Sequence, residues 1–154
     1  MKRTRLVNIA DALCLVLMIG STAYLLVRWG ALPDRVPIHY GLTGKADGWI
    51  GKEYAWLHPC VMWGLFALFS ILECFPRLWS TGGIKITEEN RDRIYALMRN
   101  LCCTTKLFAV ALLSVLVVDA VHGGGAVPSG MIAAFLPLIG ANLAFWWVKM
   151  FLNR

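Results

Sequence analysis

Apolar residues fall into four long blocks along the chain, at about 6–27, 54–75, 101–121 and 131–152. Each has the roughly 20 residues that a helix needs to cross a bilayer core. Polar residues interrupt the blocks singly: Asn8 and Asp11 in the first, Glu73 in the second, Lys106 and Asp119 in the third, Asn142 and Lys149 in the fourth. The pattern predicts an all-α integral membrane protein, a bundle of four transmembrane helices in a single membrane domain. Pro137 inside the fourth block predicts a kink, and Asn142 a hydrogen bond across the bundle. The first block is longer than the 7–15 residues or so of a signal-peptide core and precedes no A-x-A site, so it reads as a retained span.

Between the second and third blocks, Thr87 is placed to cap a helix, with Glu88 and Glu89 in its first turn. Ile94, Leu97, Met98 and Leu101 then recur at helical spacing. One long helix is expected to start near Glu88 on the membrane surface and to enter the bilayer as span three. In this amphipathic segment, 76–100, Arg91, Arg93 and Arg99 would meet lipid headgroups.

Composition agrees and excludes alternatives. Of 154 residues, 58% are hydrophobic and 16% charged, against about a quarter charged in a soluble domain, and the mean hydropathy is +0.63. A cytosolic enzyme, a disordered tail and a disulfide scaffold are excluded. The net charge of +6 comes from basic residues that flank the apolar blocks rather than forming a stripe, so nucleic acid is not expected as a partner. Lys2, Arg3 and Arg5 precede span one, Arg77 to Arg99 carries five basic residues, and Lys149 and Arg154 close the chain. Arg35, Lys45 and Lys52 in the first connection are offset by Asp34, Asp47 and Glu53, and the stretch from His122 to Gly130 carries no Lys, Arg, Asp or Glu. By the positive-inside rule both termini and the 77–99 stretch are cytoplasmic, and 28–53 is an outer loop.

That outer loop is unlike the rest of the chain. Pro33 and Pro37 force extended backbone before them, and Gly41, Gly44, Gly48 and Gly51 permit tight turns. Val36, Ile38 and Tyr40 alternate around His39 as in a short strand. A connection this long and this specified is expected to be structured and functional. The sequence Leu32-Pro-Asp-Arg-Val-Pro-Ile-His-Tyr40, followed by Gly44, Asp47-Gly-Trp49 and Lys52, resembles the signature of the SdpI-like family of bacterial membrane proteins, together with its domain of unknown function. The stretch Lys85 to Tyr95 is similar to the one before the third span in small members. The resemblance implies a multi-pass protein of the bacterial cytoplasmic membrane with a defined outer loop, and a role related to immunity against a secreted killing factor. It supplies no catalytic residues.

Ionisable residues inside a membrane are expensive and point to function. Asp11 and Lys106 lie at a similar depth from the cytoplasmic side, with Glu73 near the same level. An Asp11–Lys106 ion pair is expected, either as glue between helices or as part of a proton or ion pathway. In the outer layer, His39, His58 and His122 all lie on one side with Asp47 and Asp119, and Cys60 is close to His58. Imidazoles and carboxylates are the usual zinc ligands, and an open three-histidine site is one reading. Hydrogen-bonded structural histidines are the other, with His39 held by loop backbone and Asp47. No serine has a neighbouring base and no phosphate-binding loop is present.

The leading expectation is recognition without catalysis. The outer loop, shaped by His39, Asp47, Trp49 and Lys52, would bind an extracellular peptide, lipid or toxin, and the basic inner helix would hold a cytoplasmic partner. The rival classes are a zinc-dependent membrane enzyme built on His39, His58 and His122, and a small transporter, assembled as a homo-oligomer, built on Asp11, Glu73 and Lys106.

Overall fold

The computed structural model describes residues 4–75, 78–79 and 82–154. Expectations placed on Lys2, Arg3 and Arg77 lie outside the described residues. Helix α1 spans Arg5–Val27, strands β1 and β2 Arg35–Tyr40 and Ala46–Gly51, α2 Leu57–Cys74, α3 Arg91–Val121 and α4 Ser129–Leu152. All four helices are long and apolar enough to cross a membrane. The expected blocks therefore stand, with α2 starting a turn later than expected. The strands correct the all-α reading: within 28–53, residues 35–51 fold as an antiparallel β-hairpin, with Val36 opposite Ile50 and Pro37 opposite Trp49.

Local chemistry explains the ends of the elements. The Thr4 hydroxyl accepts from the Val7 amide and caps α1. Ahead of α3, Thr87 and Asn90 form a reciprocal capping box: the Thr87 hydroxyl accepts from the Asn90 amide, and the Asn90 side chain accepts from the Thr87 amide. The expected cap on Thr87 is thus present, with asparagine in the place usually taken by glutamate. At 31 residues α3 is the longest helix, about 46 Å at 1.5 Å per residue. It outruns a ~30 Å hydrocarbon layer, in keeping with one helix that begins outside the apolar region.

Helix α3 is the axis of the molecule. It packs against α1, α2 and α4 and touches the hairpin, whereas α1 meets α2 only lightly. Apolar clusters follow it from end to end. Ile84, Ile94, Leu97, Trp146 and Met150 join α3 to α4 at the termini end. Cys14, Met18, Met62 and Val110 fill the middle. Leu25, Val36, Val117 and Val121 seat the hairpin at the other end. The expected hydrogen bond from Asn142 is present: its amide donates to the Thr105 hydroxyl at 3.1 Å, and the Trp146 indole donates to both Thr104 and Asn142. Helix α4 continues through Pro137.

Candidate functional site

The hairpin is bolted to the bundle by one carboxylate. Asp119, on the last turns of α3, is only 1% exposed. One of its oxygens accepts from the Tyr40 hydroxyl at 3.0 Å and the other from the Val127 amide at 2.9 Å. A single side chain thus ties β1 to α3 and orders the connection into α4. Burial, then the hydrogen bond to Asp119 and its charge, push the Tyr40 hydroxyl well above the ordinary tyrosine pKa.

Glycines make this docking close. Gly44, in the hairpin turn, has φ +75°, and a Cβ there would overlap the Ser129 carbonyl at the start of α4. Gly123, Gly124 and Gly125 all adopt left-handed backbone. Gly123 lies against Pro33, and Gly124 against Pro37 and Ala46. The triple glycine is therefore the surface on which the hairpin sits. Of the four loop glycines only Gly44 uses positive φ. Between hairpin and connection lies a cavity of about 370 Å³, lined by Lys45, Trp49, Asp119, Gly124, Val127 and Ser129 among others.

The expected site residues separate into groups. His39 and Asp47 meet, Nδ1 to Oδ1, at 2.5 Å, as anticipated, but on the surface: their side chains are 73% and 53% exposed. Trp49 lines the cavity. Lys52 stands apart from both, beside Asp34 at 3.5 Å at the base of the hairpin. The three histidines are not brought together. His122 shares a hydrogen bond with the Tyr24 hydroxyl at 2.9 Å. His58 is buried in the first turn of α2. Among the described residues no group of three His, Cys, Asp or Glu is placed to hold a metal ion. Asp119 and His122 hold different partners, Tyr40 and Val127 for the first and Tyr24 for the second.

The inner charges do converge. Lys106, fully buried on α3, lies 2.6 Å from Asp11 of α1 and 2.8 Å from Glu73 of α2. Its ammonium also donates to the Ser70 hydroxyl at 3.2 Å and sits 4.9 Å from the Phe66 ring centre. Three helices are pinned at one point. The sequence reading missed Ser70 as a partner of Lys106, Tyr40 as the partner of Asp119 and Tyr24 as the partner of His122. A lone hydroxyl carries no signal until the fold places a charge against it. It also missed Lys45 as part of the cavity.

A family model described as a domain of unknown function (DUF1648) matches residues 16–63. The matched stretch runs from the middle of α1 through the whole hairpin into the first two turns of α2. No curated protein and no solved structure matches the chain. Over 16–63, therefore, the chain is similar to a domain whose function is not assigned, and the segment of similarity is the one that builds the hairpin.

Proposed function

We propose that this chain is a recognition protein of the SdpI-like type in the bacterial cytoplasmic membrane, acting in immunity or sensing through its hairpin face. The observation that carries the reading is the docked hairpin. Two short strands alone would be marginal in water, yet these are fixed to α3 by Asp119 and Tyr40 and leave a cavity walled by Trp49. Ligand sites commonly have about 300–1,000 Å³ of space with a few placed polar groups, and this cavity of about 370 Å³ falls within that range. The hairpin face is the outer one in this reading. Arg91, Arg93, Lys149 and Arg154 lie at the opposite end, where the positive-inside rule puts the cytoplasm and a cytoplasmic partner.

The enzymatic rival gains nothing from the geometry, because each histidine has its own surroundings. The transporter reading has one supporting observation, the buried Asp11–Lys106–Glu73 cluster. That reading would fall if flux were unchanged in an Asp11→Asn/Lys106→Gln variant. Recognition is tested on gently extracted protein by mass spectrometry of whatever co-purifies. A ligand retained by the native chain and lost from Trp49→Ala supports it; a native chain carrying the same masses as the variant overturns it.

A further inference from the structure

Two spaces at the hairpin end share a wall. The first is the polar cavity under the hairpin. The second is a groove of about 440 Å³ between α1, α3 and the start of α4, lined almost wholly by apolar side chains such as Val16, Ala111, Val118 and Met131. Val127 borders both. The hydroxyls along the groove are already engaged, Ser21 with the Leu17 carbonyl at 2.7 Å, Ser114 with the Met62 sulfur at 3.3 Å and Tyr24 with His122 at 2.9 Å, so the floor suits an apolar ligand. Gly20 opens the α1 side, and a Cβ added there would meet no atom within 4 Å.

The cavity has the opposite chemistry. Asp119 is a buried carboxylate that forms no salt bridge among the described residues; its two oxygens hold only a neutral hydroxyl and an amide. A charge taken out of water calls for an opposite charge. Trp49 presents an indole in the same cavity, and indole faces attract ammonium groups. Lys45, exposed at the rim, supplies a cation to one side. A carboxylate and an indole in the cavity, a lysine at its rim and an apolar groove beyond Val127 offer partners for an ammonium, a phosphate and an acyl chain.

We propose that the hairpin end binds one zwitterionic aminophospholipid of the phosphatidylethanolamine class. The ammonium sits between Asp119 and Trp49, the phosphate meets Lys45, and an acyl chain lies in the groove past Val127 and Gly20. The proposal rests on the hairpin face being the recognition site and names its ligand. The shared wall favours a lipid over a soluble amine or a peptide amino terminus, neither of which uses the groove.

The test begins with delipidated protein placed in nanodiscs containing phosphatidylethanolamine and phosphatidylglycerol in equal amounts, then released for native mass spectrometry. One retained phosphatidylethanolamine per chain is expected, at about tenfold over phosphatidylglycerol, the ratio that a 1.4 kcal/mol preference produces. Gly20→Leu, which fills the groove without touching the hairpin, should abolish retention. Asp119→Asn should erase the preference between the two lipids, and Lys45→Ala should lower the retention of both. Soluble glycerophosphoethanolamine should not be retained. Equal retention of both lipids, or full retention by Gly20→Leu, overturns the proposal. If the extracted native chain carries a non-lipid mass that Trp49→Ala loses, the lipid assignment falls and the recognition reading stands. A chain that retains neither kind of ligand brings down both.

Discussion

Lys106 stands between two carboxylates with no access to water, so its worth depends on what replaces it. Changing it to methionine leaves Asp11 and Glu73 without their lysine. Breaking a buried pair from one side costs about 3–5 kcal/mol. Lys106→Met should therefore unfold at a much lower temperature in detergent. Adding Asp11→Leu and Glu73→Leu should restore most of the loss, because an apolar trio needs no compensation. If the single and triple variants melt together, the cluster is not the lock described. Tyr40 offers a second test. Its hydroxyl is held above tyrosine's ordinary pKa of about 10, so the folded chain keeps a proton that the unfolded chain gives up. That stabilisation is complete below about pH 10 and fades as pH rises toward the folded value. Trp49 fluorescence should report the hairpin loosening in strong alkali. Tyr40→Phe should flatten that alkaline response and cost about 1 kcal/mol at neutral pH. The Asp11–Lys106 pair was readable in the sequence because helical rise converts residue number into depth. The Tyr40–Asp119 bond was not, since 79 residues separate the partners and no periodicity links a strand to a distant helix end.

Among the elements, the hairpin shows best what a sequence conceals. Strand β1 announced itself by alternation at Val36, Ile38 and Tyr40. Strand β2, Ala-Asp-Gly-Trp-Ile-Gly, has two glycines and one aspartate in six residues, a composition that argues against a strand. It pairs because its partner is held down, and Gly48 leaves room for the His39 side chain across the ladder. Docking rather than propensity forms it. Gly44→Ala should therefore act beyond the turn. The new Cβ would meet the Ser129 carbonyl, and hydrogen exchange should rise through both strands while α1 and α2 stay protected. Exchange confined to the turn would show that the hairpin stands without its dock. Helix α4 depends in the same way on Asn142, Thr104, Thr105 and Trp146. Interhelical hydrogen bonds in membranes average about 0.6 kcal/mol and reach about 1.7, so Asn142→Leu should loosen α4 measurably without releasing it. An unchanged distance distribution between spin labels on α3 and α4 would count against that role.

For the molecule as a whole, apolar blocks were enough to place four helices, because hydropathy is a property of the chain rather than of its packing. The central position of α3 was not legible, since all four blocks look alike in hydropathy. What distinguishes α3 is its load: Lys106 at its midpoint and Asp119 near its end, about 20 Å apart by helical rise. Every described helix and the hairpin lean on this one element. A rigid displacement of α3 is then the simplest route by which occupancy of the hairpin cavity would reach the basic end.

The position of Lys106 also has a meaning in time. Asp11 and Glu73 belong to helices made first, and their lysine arrives only with α3. During synthesis α1 and α2 hold two acids whose counter-charge has not yet been translated, so neither helix has a settled place in the bilayer until the third joins them. A chain arrested before Lys106 would leave those two acids in apolar surroundings without the charge that offsets them, a costly arrangement inside a membrane. The same three atoms that lock the finished bundle mark the arrival of α3, before α4 is made.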